Sequence, residues 1–346
     1  MSTSSVPVLA VAVIMLVSLN AYALFGGADF GGGVWDLLAA GPRRDRQRAL
    51  IAHAIGPIWE ANHVWLILVV VLLFTCFPAA FAGLAIVLHV PLTLMLVGIV
   101  LRGSAFTFRS YGSEDDAVQR RWGRVFAIAS VVTPLALGVC IGAVASERAG
   151  DALAVLRQEL PGAPHAGFAD VFVRPWLAPF PLVVGALSLS LFAFLAATYL
   201  TVEADDEALR EDFRRRALLA ALAVFVCAFG ALGLAGTLAP RMRSGLTVSP
   251  WAIPLHALTA ASAITAIAGL WTRRYRMARA AAAAQVSLIL WGWAAAQFPY
   301  LVPPGIAIGD AAPRRTLVLV LIALAFGAVV LMPSLAYLYR VFKRKT

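Results

Sequence analysis

Long apolar runs dominate the chain, and polar residues gather in the short segments between them. A helix needs about 20 apolar residues to cross a lipid bilayer. The runs of roughly that length are 7–27, 57–77, 80–101, 123–145, 176–200, 217–238, 250–271, 280–300 and 316–339. This pattern predicts an all-α integral membrane protein of about nine transmembrane helices, with residues 1–346 forming a single polytopic membrane domain. The first run lacks the preceding Lys or Arg of a signal peptide, so we expect it to be retained as the first span.

Arginines are distributed unevenly among the connections. The segments that follow odd-numbered runs are rich in Arg, as in GPRRDRQR (41–48) and TRRYRMAR (272–279), whereas those that follow even-numbered runs carry fewer. Basic loops of membrane proteins stay in the cytoplasm. The pattern therefore predicts an N-terminus outside and a C-terminus in the cytoplasm, and this orientation requires an odd number of spans.

Composition agrees with a membrane protein. Hydrophobic residues make up 61% of the chain and charged residues 13%, where soluble domains carry about a quarter charged residues. The net charge of +10 comes almost wholly from Arg, and it is explained by cytoplasmic loops, so no nucleic-acid partner is expected. There is no GxSxG, P-loop, HExxH or metal-ligand cluster in the sequence, and nothing indicates a hydrolase or an ATPase.

One polar stretch interrupts the second run. In AIGPIWEANHVWLI (54–67), Glu60, Asn62 and His63 lie between Trp59 and Trp65. The predicted orientation puts Glu60 in the first turn of a helix on the cytoplasmic side, with His63 on the same face because it follows three residues later.

Two charged residues on neighbouring spans are expected at a similar depth. Asp29 ends the first run and Arg102 ends the third. Glycines 26, 27, 31, 32 and 33 surround Asp29, and they would let another backbone or a large group approach closely.

The residues alone leave two interpretations of this cluster. In one, Glu60 is neutralised by Arg102 or by the helix N-terminus, and the tryptophans are interfacial belt residues. In the other, the cluster is the entrance of a proton or ion path, since ionisable residues at membrane depth are usually functional.

Two other classes of membrane protein also stay open. His89 and His256, on different spans, could ligate a haem axially, although a lone membrane His more often hydrogen-bonds within the bundle. A secondary transporter or channel would need helices broken near the bilayer midplane, for which Pro91 and Pro134 are modest candidates.

Several motifs, in order along the chain, resemble subunit II of cytochrome bd-type quinol oxidases. They are GADFGGG (27–33), IGPIWEANHVWL (55–66), LRGSAFTFRS (101–110), ATYL (197–200) and FPYLVP (298–303). The IGPIWEANHVW block is the specific one. The resemblance covers the whole chain and includes nine spans with the N-terminus outside.

The resemblance implies a place in a complex of the bacterial cytoplasmic (inner) membrane. Its partner would be a haem-bearing subunit I that carries haem b and haem d, with quinol and oxygen as substrates of the complex. This chain would be a haem-free scaffold that contributes a cytoplasmic proton path. The resemblance allows a structural quinone in this subunit and a small accessory subunit in the complex.

The resemblance also assigns residues to that path. Glu60 matches the family's acidic residue after Trp, Asp29 matches the second acid of an Asp-Gly-Phe-Asp pattern, and Arg102 matches an Arg at the end of the third span. The chain departs from the family where the first acid of that pattern is Gly26, which puts a two-carboxylate site in doubt. It departs again at Ala61 and His63. We expect His63 either to relay protons beside Glu60, because its unperturbed pKa is near neutral, or only to hydrogen-bond.

Overall fold

The structure is a computed structural model that describes residues 6–56, 59–111, 116–157 and 167–342. The described residues are almost entirely helical, with one short β-hairpin. The elements, in chain order, are α1 Val6–Leu37, α2 Arg44–Ile55, α3 Trp59–Cys76, α4 Pro78–Val87, α5 His89–Tyr111, α6 Asp116–Ala145, α7 Arg148–Leu156, α8 Phe168–Phe172, α9 Pro179–Glu203, α10 Glu207–Leu238, α11 Pro240–Val248, α12 Ala252–Trp271, α13 Tyr275–Gln297, β1 Tyr300–Val302, β2 Ile306–Ala307 and α14 Arg314–Phe342.

Each of the runs predicted to span the membrane is largely helical, and all but the third correspond to a single helix. Within the described ranges, 8 helices are long and apolar enough to do so: α1, α3, α5, α6, α9, α10, α12 and α14. The helix at the eighth run, α13, is not among them, because its most apolar stretch of membrane length has a lower mean hydropathy than theirs. Its first residues, YRMARAAAAAQ, are rich in Arg and Ala. The predicted run 57–77 begins with two residues that lie outside the described ranges.

The third run is two helices instead of one. The prediction joined 80–101, whereas the structure separates α4 from α5 at Leu88, whose backbone leaves the helical region with φ −103° and ψ 20°. Pro91 lies in the first turn of α5, where a missing N–H is tolerated. Since α4 is as apolar as a membrane helix, hydropathy could not distinguish it from the span. The membrane-length helix therefore starts near His89, and α4 packs instead against the short helices α7 and α8.

Helix α1 packs against α9, α6 and α3 near the centre of the bundle. A Cβ atom on Gly31 would overlap the main-chain carbonyl of Phe192 in α9, and one on Gly33 would overlap the Ser130 hydroxyl in α6. The Trp35 indole N–H donates to the Ala193 carbonyl at 2.7 Å. The prediction that the glycines allow a close approach is confirmed, and the group that approaches is another helix.

The Arg-rich connections meet at one end of the bundle, which we call the arginine end. Arg43 binds Asp212 with N–O distances of 2.6 and 2.8 Å, and Arg279 lies 3.6 Å from Glu203. The hydrogen bonds that Arg43 donates to the Asp212 carboxylate raise the pKa of the Arg43 guanidinium, so this group stays charged. The first, fifth and seventh connections thus share one side, as the charge pattern predicts.

The opposite end, which we call the distal end, is built from α4, α7, α8, α11 and the hairpin β1–β2. The stretch QFPYLVPP (297–304), whose prolines cannot continue a helix, contains the first strand of this hairpin, in which Tyr300 pairs with Ala307. Arg241 of α11 forms an ion pair with Glu147 at 2.8 Å and lies over the Tyr300 ring. The Ala312 N–H donates to the Cys76 carbonyl at 2.8 Å, which fixes the start of α14 beside the end of α3.

Candidate functional site

Arg102 is the largest fully buried side chain of the described residues, at 1% exposed. Its Nη2 donates to the main-chain carbonyl of Asp29 at 2.9 Å, and its Nε lies 3.3 Å from the Ser130 hydroxyl. The rings of Phe30 and Phe126 lie 4.7 and 5.1 Å from its guanidinium carbon. A buried cation costs less when dipoles and aromatic faces surround it, and α1 and α6 provide both here.

A chain of hydrogen bonds runs beside this arginine. The Asn62 amide donates to the Asp29 carboxylate at 2.6 Å, and the Tyr339 hydroxyl donates to the Asn62 carbonyl oxygen at 2.7 Å. Asp29 is 5% exposed and Asn62 1%. This chain links the arginine-end segments of α1 and α3 to the last turns of α14, and all its members are polar groups inside an apolar bundle.

His63 lies next to this chain but inside an aromatic environment. Its ring centroid is 5.9 Å from that of Tyr22 and 6.0 Å from those of Phe30 and Trp59. Its Nδ1 is buried and makes no hydrogen bond to any residue that the structure describes. Among the described residues, His63 therefore contacts aromatic rings and forms no hydrogen bond with Glu60 through Nδ1.

Glu60 does not face Arg102, as it would if the arginine neutralised its charge. Its side chain is exposed, and in the described part of the chain Arg102 is not its partner. The residues seven, eleven and fourteen positions later on α3, Ile67, Val71 and Phe74, are also exposed, at 59%, 49% and 59%. This spacing keeps all four on one helix face. Glu60 thus begins an apolar outer stripe, and the expectation that Arg102 neutralises it is wrong because Arg102 is directed toward α1 and α6.

The two tryptophans play separate structural roles. Trp59 packs against Phe106 and over Gly103, and it lines a groove of about 450 Å³ on the outer side of α5 with Ile99, Val100, Ser104, Thr107 and Phe108. Trp65 packs against the central core that contains Phe192 and Phe194, so it is not an interfacial belt residue.

The two histidines of the haem alternative lie apart from this cluster. His89 begins α5 at the distal end, with Nδ1 2.9 Å from the Ile86 carbonyl and its ring against Phe172. His256 has Nδ1 2.7 Å from the Ala252 carbonyl of its own helix. Over the described ranges, no group of three or more His, Cys, Asp and Glu side chains could hold a metal ion.

Four contributors to the buried site were missed by the sequence reasoning: Phe30, Phe126, Ser130 and Tyr339. Phe30 lies within the glycine-rich motif and could have been noticed there. Tyr339 is 277 residues from its partner Asn62, and no local pattern indicates such a contact. The structure brings Asp29, Asn62 and Arg102 together, while Glu60 and His63 face other surroundings.

Comparison with known proteins identifies the family. Residues 7–342 match the family model of cytochrome bd terminal oxidase subunit II. The chain belongs to this family. It is a multi-pass protein of the bacterial inner membrane, and family membership leaves the transporter or channel alternative without support.

Individual relatives agree with this assignment. The chain is 29% identical over 219 residues to cytochrome bd-I ubiquinol oxidase subunit 2 of Escherichia coli, covering 61% of this chain and 52% of that protein. It is 29% identical over 128 residues to cytochrome bd ubiquinol oxidase subunit 2 of Bacillus subtilis, covering 37% of each. The chain spans about half the length, or less, of these curated relatives.

The fold has a solved counterpart. A chain of the bd oxidase of Geobacillus thermodenitrificans superposes with a TM-score of 0.77 at 20% sequence identity, covering 98% of this chain and 99% of that one. The helical bundle, including its short distal-end elements, is therefore the fold found in a bd oxidase.

Proposed function

We propose that this chain is the haem-free subunit II of a bd-type quinol:oxygen oxidoreductase. In this proposal it scaffolds a haem-bearing subunit I, and Glu60 passes cytoplasmic protons toward a haem site in that partner. Haem b and haem d belong to the partner, and quinol and oxygen are the substrates of the complex. Reduction of oxygen to water consumes protons, so a path from the cytoplasm is required.

The exposed position of Glu60 carries the proposal. An ionised carboxylate facing lipid is costly, yet Glu60 begins a stripe of exposed apolar residues on α3. A protein surface that covers this stripe would remove the side chain from lipid and give the carboxylate a partner. Subunit I is the covering surface that the family provides.

The groove beside Trp59 supplies an approach to this carboxylate. It has a volume of about 450 Å³, and Ser104 and Thr107 are the polar residues of its lining. Trp59 directly precedes Glu60 on α3, so water in the groove would reach the start of the proposed path. Protons would then enter from the arginine end, which the charge pattern places in the cytoplasm.

The buried residues would hold Glu60 in position. Asp29 accepts a hydrogen bond from Asn62, two residues after Glu60, and Arg102 binds the main chain at Asp29. These contacts fix the first turn of α3 against α1. We propose that Asp29 orders the entrance, and that Arg102 and His63, the latter three residues from Glu60, tune the path.

The test is Glu60→Gln in the assembled oxidase, with quinol-driven oxygen uptake as the measurement. The amide keeps the size of the side chain but cannot carry a proton, so we expect turnover to fall by about a hundredfold or more, which is the lower end of the range that general acid–base groups contribute. Asp45→Asn, at an exposed carboxylate on α2 of the same end, is the matched control and should leave turnover unchanged. Wild-type turnover of the Glu60 variant with intact haem content would exclude the relay role.

A further inference from the structure

A second groove lies at the arginine end, between α10 and the end of α12. Its volume is about 480 Å³, and it is lined by Arg214, Leu218, Trp271, Thr272 and Arg273. None of these residues belongs to the proposed proton path. Trp271 is 73% exposed, and the Arg273 side chain is 63% exposed, so the groove opens on the outside of the bundle.

Positive charge is in excess around this groove. Glu211 is the carboxylate shared by three arginines, with N–O distances of 2.6 Å to Arg214, 3.1 Å to Arg215 and 3.9 Å to Arg273. Three guanidinium groups against one carboxylate leave two positive charges without compensation within this cluster. The surroundings therefore favour a singly or doubly charged anion.

Apolar side chains continue from the charged end of the groove along both helices. On α10, Leu218, Leu222, Phe225 and Phe229 follow Arg214 on one face, and the last three are 60%, 58% and 60% exposed. On α12, Ile267 and Ile264 lie four and seven residues before Trp271 and are 42% and 67% exposed. Spacings of three and four residues keep each row on one face of its helix. The basic rim thus leads into two apolar rows, one on each helix.

The backbone at Arg273 adds to this arrangement. Arg273 has φ 60°, in the left-handed region that usually favours Gly at the end of a helix. The Arg274 N–H closes the turn on the Gly269 carbonyl at 2.7 Å. A glycine would adopt this left-handed conformation with less strain, so an arginine at position 273 costs some backbone conformational energy.

We propose that this groove binds an anionic phospholipid. Its phosphate lies between Arg214 and Arg273, since guanidinium groups bind phosphate oxygens through charge-assisted hydrogen bonds. Its acyl chains lie along the apolar faces of α10 and α12, and Trp271 packs at the level of the glycerol backbone, where interfacial tryptophans are found. Anionic lipids are enriched where basic segments face the cytoplasmic leaflet, and the predicted orientation puts the groove there.

The test compares binding of phosphatidylglycerol and phosphatidylcholine to the purified full-length chain by native mass spectrometry. Arg273→Gly removes the side chain and suits the left-handed backbone, so this variant should fold at least as well as the wild type. We expect it to lose about tenfold of its preference for phosphatidylglycerol, the loss typical of one hydrogen bond to a charged group. The double variant Arg214→Gln, Arg273→Gly should lose more.

Arg276→Gln is the matched control, because Arg276 is exposed in the same connection but does not line the groove. Unchanged lipid preference in this control supports a defined site, whereas an equal loss would mean diffuse attraction and overturn the proposal. Displacement of the lipid by inorganic phosphate at equal concentration would overturn it too, since the apolar faces would then contribute nothing.

A final measurement uses the assembled oxidase. A photo-crosslinker at position 271 should capture phosphatidylglycerol; capture of another subunit without lipid would show that protein covers the groove and would overturn the proposal. These variants keep Glu60, so their outcome is independent of the test of the proton path.

Discussion

At the scale of single residues, the buried site shows how a membrane bundle accommodates a full charge. Arg102 donates hydrogen bonds to a main-chain carbonyl and to a hydroxyl, and two aromatic rings lie against its guanidinium group. Because the carbonyl of Asp29 is what Arg102 binds, the Asp29 carboxylate can accept from Asn62. The arginine therefore organises the site through the main chain at Asp29 and the hydroxyl of Ser130.

Tyr339 offers a test of the hydrogen-bonded chain. Tyr339→Phe removes the hydroxyl that donates to Asn62 and leaves a buried carbonyl oxygen without this partner, so we expect the free energy of unfolding to fall by about 1 kcal/mol. Thermal denaturation of the detergent-solubilised chain measures the effect. Tyr337→Phe is the matched control, since Tyr337 is 71% exposed on the same helix; equal melting of both variants would contradict the role of the bond.

The site residues differ in how far the sequence predicts them. Asp29, Asn62 and Arg102 stand out because polar residues are rare in apolar runs, and the similar depth of Asp29, Glu60 and Arg102 is obtained by counting residues along consecutive helices. The direction of each side chain cannot be obtained from depth. Glu60 faces outward while Asn62, two residues later, faces inward, since two residues on a helix differ by about 200° of rotation.

At the scale of elements, the glycine-rich half of α1 sets the distances between helices. Gly27 lies against the ring of Phe192, with a Cβ position 2.6 Å from it, and Gly31 lies against the backbone of the same residue. The close approach brings Asp29 and Phe30 to the level of Arg102. A small-residue face that lets helix backbones meet is a common way to pack membrane helices.

Gly31→Ala tests this packing. The added methyl group would overlap the Phe192 carbonyl and force α1 away from α9, and we expect a loss of about 1–3 kcal/mol, typical of overpacking. Gly233→Ala is the control, because Gly233 of α10 has open space around its Cβ position and Ala favours a helix by about 1 kcal/mol over Gly. Thermal denaturation should separate the two variants, and a Gly31 variant as stable as the control would contradict the packing argument.

Element boundaries were the part of the fold that hydropathy predicted least well. The helices themselves correspond to apolar runs, but α4 and α5 form a continuous apolar stretch that only the backbone at Leu88 divides. The prolines after α13 indicate where a helix ends, but they do not determine that the next segment forms a hairpin. The strand β1 also packs against α4, which is remote in sequence, and no local pattern indicates this contact.

At the scale of the whole molecule, the number of crossings depends on α13. This helix is less apolar than the others, yet its two ends lie at opposite ends of the bundle. Arg279 near its start pairs with Glu203 at the arginine end, and Tyr300, just after it, packs against Arg241 at the distal end. Burial of its alanines against α9, α11 and α12 explains how it can cross with so little apolar surface.

Reporter fusions test this topology. If α13 crosses, an alkaline phosphatase fused after Gly309 lies outside and is active, while fusions after Gly41 and Arg274 are silent because the enzyme does not mature in the cytoplasm. A fluorescent protein at the C-terminus should then be bright. The fusion after Gly41 is the control for the arginine end, whose loops carry the positive charge. A silent fusion after Gly309 together with a dark C-terminal reporter would mean that α13 does not cross. The C-terminal end of α14, and with it Tyr339, would then lie outside, and the contact with Asn62 beside the predicted cytoplasmic loops could not form.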